Sequence, residues 1–307
     1  MLGVSSIHAK HGLRLSLPAT SANLGPGFDA VGLALSMHLT VEAHTAPVFS
    51  IHATGRDADL CAALDNNLIL DTYRDVLHRA GASSIPLHLT LHNEIPLGMG
   101  CGSSAAALLA GVALADHFGG LGMTATDLVA EASRREGHPD NIAACWHGGF
   151  TVSADDSGQI ATATFPGDPA WQMLLALPGA SLATKTARAL LPESYSKADA
   201  VFNIQRVALL TAAFAQGRLD LLRTAMQDRL HQPYRADACP LLKALLPLAA
   251  EPEVAGVALS GAGPSVLLFL AESTTPMAAE TRLRSLVGPQ VEFLSLRVAA
   301  GTTRTVL

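Results

Sequence analysis

Residues 96–107 read Pro-Leu-Gly-Met-Gly-Cys-Gly-Ser-Ser-Ala-Ala-Ala and lead directly into an apolar stretch that stops at Gly119-Gly120. Glycine at alternate positions (Gly98, Gly100 and Gly102) leaves a backbone with little side chain in the way. Ser103 and Ser104 then open a helix predicted to run to about Phe118. Such a loop wraps main-chain N–H groups around an anion, and the helix dipole adds to the attraction. The expected ligand is the phosphate tail of a nucleotide, held by Gly98 to Ser104. The loop lacks the Gly-Lys-Ser/Thr ending of a P-loop, and its spacing is not that of a dinucleotide fingerprint. The alanines that follow suit close packing of the helix in a core.

A chain of 307 residues suffices for two ordinary domains or one large one. With 49% apolar and 15% charged residues, the composition is that of a well-filled soluble core. A net charge of −6 argues against a broad nucleic-acid or anionic-membrane surface, while leaving room for a local basic pocket. No run reaches the ~18 apolar residues of a membrane span, and the N-terminus has no signal-peptide pattern. Cys61, Cys101, Cys145 and Cys239 lie far apart, as expected for reduced thiols of a cytoplasmic protein. None of the 12 histidines forms His-Glu-x-x-His or a similar metal cluster.

Strands are expected at Arg14–Leu17, Gly32–Glu42, Phe49–Ala53 and Leu87–Leu91, the last alternating apolar and polar residues. Helical spacing marks Asn67–Ala80 and Thr126–Arg135, the latter with Thr124 or Thr126 as N-cap. A second series follows. Strands are predicted near Phe150–Ser153, Ile160–Thr164, Gln172–Ala176, Val254–Ala258 and Val266–Leu270, with helices at Phe202–Gln216 and Leu219–Leu230. Strands and helices without strict alternation predict an α+β fold. The Asp-, Ser-, Gly- and Pro-rich stretch Asp155–Gly167 marks the expected boundary between domains 1–160 and 161–307.

Three further segments carry polar chemistry. Pro18-Ala-Thr-Ser-Ala-Asn-Leu-Gly-Pro-Gly-Phe-Asp29 reads as a surface turn after a strand, either a ligand loop offering Thr20, Ser21, Asn23 and Asp29 or an ordinary structured loop. Glu136-Gly-His-Pro-Asp-Asn141 could hold a metal or take a proton, and also suits a solvated helix end. The glycine-rich turn Ser260–Ser265 could approach a phosphate, or simply close a hairpin.

Together these segments resemble the GHMP kinases, the superfamily of galacto-, homoserine, mevalonate and phosphomevalonate kinases. Pro96–Ala107 is similar to the family's Pro-x-x-x-Gly-Leu-Gly-Ser-Ser-Ala-Ala motif, with Cys101 in place of leucine, and Gly261-Ala-Gly-Pro-Ser265 to its C-terminal glycine motif. Within the superfamily, Pro18–Asp29 with Val31–Leu35, Glu136–Asn141 and Thr184-Lys-Thr-Ala-Arg188 most resemble the homoserine kinase family.

The resemblance implies a two-domain GHMP kinase fold. It pairs an N-terminal ribosomal-protein-like domain, built on a βαβ unit with a left-handed crossover, with a ferredoxin-like C-terminal domain. It implies transfer of the γ-phosphoryl group of ATP to the side-chain hydroxyl of L-homoserine, Mg²⁺ dependence, a place in threonine biosynthesis, and a homodimer. ATP would contact Pro96, Leu97, Gly98, Met99, Gly100, Cys101, Gly102, Ser103, Ser104, Ala105 and Ala106. Ser104 and Glu136 would hold the metal, with Glu131 as the alternative carboxylate. Arg188 and Arg235 would take the substrate carboxylate and Asp29 its ammonium group, with Asn23, His138, Asn141 and Thr184 completing the pocket. Asp140 matches the aspartate that related kinases use as a base, although a loose transition state also permits transfer without one. Other kinases of the superfamily, of mevalonate or diphosphocytidyl-methylerythritol type, are the nearest alternatives. A non-catalytic nucleotide- or RNA-binding module is a third.

Overall fold

The computed structural model describes residues 11–181 and 184–307, the side chains of 184 and 185 excepted. The first lobe comprises β1 (Leu13–Asn23), β2 (Gly27–Thr45), β3 (Ser50–Gly55), α1 (Ala58–Ala62), α2 (Leu68–Arg79), β4 (Leu87–Asn93), α3 (Ser103–Gly119), α4 (Ala125–Glu136), α5 (Asp140–His147), β5 (Phe150–Asp156) and β6 (Gln159–Phe165). The second begins at β7 (Met173–Leu177) and continues through α6 (Thr184–Arg188), α7 (Lys197–Gln216), α8 (Leu222–Ala225), α9 (Gln232–Arg235) and α10 (Pro240–Leu245). It ends with β8 (Val254–Leu259), β9 (Val266–Leu270), α11 (Pro276–Val287) and β10 (Glu292–Leu296), after which β11 (Thr303–Val306) returns to the first lobe.

Seven strands form the first sheet: β11-β1-β2-β4-β3 lie side by side, and the β5–β6 hairpin attaches through β5 to β2. Alternation builds it. Leu87, Leu89 and Leu91 of β4 are buried, while His88, Thr90 and His92 face outward or lie half-buried. Among the described strands only β3 and β4 pair in parallel, and the connection between them carries α1 and α2. The α3 helix is apolar on every side, with twelve buried residues, as a helix enclosed by neighbours must be.

The second sheet has the order β10-β7-β9-β8, all antiparallel. Counted from β7 this is 4-1-3-2 with helices in both crossovers, the ferredoxin-like arrangement. Its central strands are apolar on both faces because both faces are covered. Met173 and Leu175 join the core shared with the first lobe, and Leu174 and Ala176 join a second core beneath α10 and α11. The lobes meet on packed rings: Phe150 of β5 stacks on Phe214 of α7 at 4.0 Å between centroids.

Four sequence expectations change. The Asp155–Gly167 stretch holds a hairpin tip rather than a linker, and a division at 160/161 falls inside β6. The helix expected over Leu219–Leu230 ends at Ala225, because Asp228 captures the N–H groups of Leu230, His231 and Gln232 that a continuing helix would use. Pro18–Asp29 is no surface turn: it is buried up to Gly27, covered by Met226 and the Gly261 turn. Glu136–Asn141 is a solvated helix end only at Gly137, the exposed cap of α4, and a second helix, α5, starts at the buried Asp140. Among the described residues no helix is long and apolar enough to cross a membrane, and all four cysteines are free.

Candidate active site

The glycine loop ends on the N-terminus of α3, and Gly98, Gly100 and Gly102 all have φ between +68° and +74°. At Gly102 a Cβ would stand 1.8 Å from Thr20 Oγ1, and at Gly100 2.2 Å from the Ser260 carbonyl oxygen. Only glycine satisfies both the dihedral and the space. Gly102 caps α3 without a side-chain acceptor, so the first-turn N–H groups remain available to an anion. Loop position is fixed from behind: Thr20 N–H donates to the Cys101 carbonyl (3.0 Å) and Ser260 Oγ donates to the Gly100 carbonyl (2.7 Å). Pro96, Ala105 and Ala106 are buried, so the two alanines can reach a phosphate only through their backbone. The Leu97 N–H is taken by Asp57. Burial pushes the Cys101 thiol up to about 12, leaving it inert where leucine is usual. Beside the loop an apolar cavity of about 300 Å³ is lined by Leu60, Cys61, Leu68, Leu91 and Ile95.

Ser104 Oγ donates to Glu136 Oε1 at 2.6 Å, bringing together the last turn of α4 and the first of α3. Burial raises the Glu136 carboxyl above its ordinary value, and the Ser104 hydrogen bond opposes the rise. Glu131 is occupied by Arg134 and Arg135, whereas Glu136 is the carboxylate that meets Ser104.

On the other side of the loop a cavity of about 230 Å³ gathers Asn23, Asp29, His138, Asp140, Arg188 and Arg235. Arg188 grips Asp29 through two hydrogen bonds of 2.7 and 2.8 Å, and this contact holds the guanidinium above its ordinary value despite partial burial. Asn23 Oδ1 accepts from the Asp29 N–H and its Nδ2 donates to Gly261, tying the first lobe to the glycine turn of the second. Asn23, Leu24 and Asp29 all have positive φ, a local strain of roughly 1 kcal/mol or more each that tertiary packing sustains.

Arg235 is 1% exposed. Burial lowers its affinity for the proton, and the Arg188 charge acts in the same sense. His138 Nδ1 donates to Asp140 Oδ1 (2.6 Å). Burial disfavours its charged form, but this hydrogen bond and the charges of Asp140, Glu136 and Asp29 prevail and raise its pKa. Asn141 accepts from Thr20 Oγ1 at 2.6 Å, coupling α5 to the residue behind Gly102. Among the described residues, every hydrogen bond to the Asp140 side chain falls on Oδ1.

The expected acceptor-side residues therefore converge, except that the side chain of Thr184, the first residue of α6, lies outside what is described. Ligand atoms of Asp29, His138 and Asp140 come within 4.8 Å of one another, a carboxylate-rich spot that spacing did not reveal. Sequence reasoning missed Phe28, Ser260 and His231. Phe28 and Ser260 stand inside motifs already singled out, whereas His231 gave no signal of its own.

Two lobes closing over a glycine loop at a helix N-terminus, beside a hydroxyl–carboxylate pair, define a small-molecule kinase of the GHMP class. The family model for the GHMP kinases N terminal domain matches residues 67–149, and that for GHMP kinases C terminal matches 210–287. A homoserine kinase of Solibacter usitatus is 48% identical over 256 residues, covering 83% of this chain and 84% of that protein. One from Thermus thermophilus is 38% identical over 294 residues, covering 94% and 97%. The crystal structure of homoserine kinase from Cytophaga hutchinsonii, 24% identical, superposes with a TM-score of 0.79 over 99% of this chain and 100% of that one, which bears on the fold. The chain belongs to the homoserine kinase family.

Proposed function

We propose that the protein transfers the γ-phosphoryl group of ATP to the side-chain hydroxyl of L-homoserine, giving O-phospho-L-homoserine for threonine biosynthesis. One observation carries this reading: a cavity beside the phosphate loop holds a carboxylate and two guanidiniums, Asp29, Arg188 and Arg235. A zwitterionic acceptor needs both signs, and mevalonate or a sugar does not. Arg235, which has no carboxylate partner among the described residues, takes the substrate carboxylate together with Arg188. Asp29 takes the ammonium group as the substrate replaces part of the Asp29–Arg188 contact. Asn23, His138 and Asn141 orient the hydroxyl end.

Phosphoryl transfer needs in-line positioning and charge neutralisation more than covalent help. The amides of Gly98 to Ser104 hold the phosphates, and the apolar cavity beside Leu60 and Ile95 suits the nucleoside. The Ser104–Glu136 pair offers a hydroxyl and a carboxylate oxygen, a donor set that fits a magnesium ion with water and phosphate oxygens completing its shell. Bound there, Mg²⁺ would neutralise charge on the phosphates. Asp140 serves as the base through Oδ2, the oxygen free of hydrogen bonds from the described residues, aided by His138 on Oδ1.

The division of labour is a nucleotide lobe, 1–160 with the remainder of β6 and the returning β11, and a closing lobe between them. A cytoplasmic homodimer completes the reading, with sedimentation at micromolar concentration to test the dimer. The decisive measurement is ADP release from MgATP with L-homoserine, mevalonate, galactose or L-threonine. Turnover with homoserine alone is expected, and turnover with another acceptor but not homoserine overturns the assignment.

A further inference from the structure

His231 is wholly buried where the lobes meet and touches neither the phosphate loop nor the metal pair. Its Nε2 lies 2.7 Å from the Gly25 carbonyl oxygen and its Nδ1 3.1 Å from Arg235 Nη1. A carbonyl only accepts, so Nε2 carries the hydrogen; a guanidinium only donates, so Nδ1 must accept. The two partners therefore assign one neutral tautomer, because an imidazolium would set N–H against N–H. Burial also favours the neutral ring, and the Arg235 charge acts with it against Asp228. Asp228 Oδ2 is 3.6 Å from Nε2, yet that carboxylate is already engaged by three backbone N–H groups and Asn203.

The consequence falls on Arg235. Among the described residues its hydrogen bonds all go to neutral acceptors, the Ala187 and Gly261 carbonyls and His231 Nδ1. Its direction is fixed while its charge stays unmatched. Phe28 completes the frame, with the Arg188 and Arg235 guanidinium carbons 5.4 and 5.5 Å from its ring centroid and the His231 ring 5.5 Å away.

We propose that His231 is a positioning residue: as a neutral acceptor it aims Arg235 into the pocket, and so sets the preference for a carboxylate-bearing amino alcohol over the same alcohol lacking the carboxylate. This rests on the reading of Arg235 as a carboxylate ligand.

The test compares kcat/KM for L-homoserine and for 3-aminopropan-1-ol, its analogue without the carboxylate, in wild type, His231→Gln and His231→Asn. Asparagine places an oxygen where Nδ1 stands and keeps the acceptor; glutamine reaches Gly25 and loses it. His231→Gln should lower the preference for homoserine about tenfold, mainly through KM, with KM for ATP within about twofold. His231→Asn should restore most of the preference. An unchanged preference in the glutamine variant, equal loss on both acceptors, or no rescue by asparagine overturns the proposal. Should the glutamine variant not fold, ¹⁵N spectra of histidine-labelled wild type decide. A neutral ring with hydrogen on Nε2, and an Nδ1 signal that shifts with homoserine, is expected; an imidazolium overturns the proposal. A wild type that uses homoserine without preferring it to the analogue would instead break the carboxylate reading beneath it.

Discussion

The side of the site that faces the phosphates and the side that faces the acceptor are made from different material. On the phosphate side, one contiguous loop and the first turn of α3 present backbone amides, and the decisive residues are those with the least side chain. On the acceptor side, charged side chains arrive from β2, α6 and α9, with Asp29 and Arg188 separated by 159 positions in sequence. The first depends on sterics and forgives almost no added atom. The second depends on charge: Asp29 and Arg188 satisfy one another until a ligand of matching charge replaces part of that contact, while Arg235 stands beside them without a carboxylate among the described residues. Donor recognition is therefore general to a class of kinases, while acceptor identity resides in a few separately supplied groups.

Adding one methyl group to the loop should do the most harm. In Gly100→Ala the new Cβ meets backbone at Ser260 and Gly263, which cannot move aside, so kcat/KM for ATP should fall about 10³-fold. Retained ATP turnover would mean that the loop is less rigid than its contacts imply. On the acceptor side, Arg235→Leu should raise KM for homoserine about 10²-fold and leave nucleotide affinity nearly unchanged. Parallel losses for both substrates, measured by initial rates and nucleotide titration, would erase the distinction between the halves. Asp140 touches both. Asp140→Asn should lower kcat about tenfold, modest for a lost base because the transition state is loose. Turnover within about twofold of wild type, with a normal melting curve, would remove Asp140 from that role.

The smallest effect concerns Glu136, whose carboxyl is raised by burial above the ordinary 4.5. A raised carboxyl favours folding in its protonated form. That contribution is complete below the unfolded value and is lost as pH rises through the folded one. Glutamine keeps the neutral form at every pH, so ligand-free Glu136→Gln should melt about 1–2 °C higher at pH 7 and show no gain at pH 4. A lower Tm at pH 7 would show that the Ser104 hydrogen bond outweighs the desolvation of the charge.

Legibility in the sequence follows the same divide. The phosphate loop and α3 could be read because everything they need is contiguous: positive-φ glycines, hydroxyls and an apolar helix. The β4 strand and the Thr124-capped α4 were equally local. On the acceptor side the residues alone offer Asn23 and Asp29 as one of two readings of their loop, and only resemblance to a family joins them to Arg188 and Arg235, since nothing local links Asp29 to Arg188. Burial of Pro18–Gly27 is not legible in the sequence because its cover, Met226 and Gly261, comes from the other lobe. Helix α5 was missed because it opens after Pro139 without a capping side chain. The break after Ala225 depends on a single carboxylate, Asp228, whose choice of partners is a tertiary matter. His231 gives no signal in the sequence beyond being one of twelve histidines, because its value lies in one lone pair aimed at a tertiary partner.

The β11 strand sets a schedule. It pairs with β1 from Leu13↔Val306 to Ser16↔Thr303, and Arg304 reaches Asp116 on α3 at 2.8 Å. The sheet that carries the phosphate loop thus recruits an edge strand translated after the entire second lobe. At roughly 5–20 residues per second the ribosome needs on the order of ten seconds to pass from Phe165 to Thr303. Through that interval β1 waits with an open edge, exposed to whatever other strand passes by. Nascent chains halted after β6 should therefore engage chaperones more readily than chains released at full length.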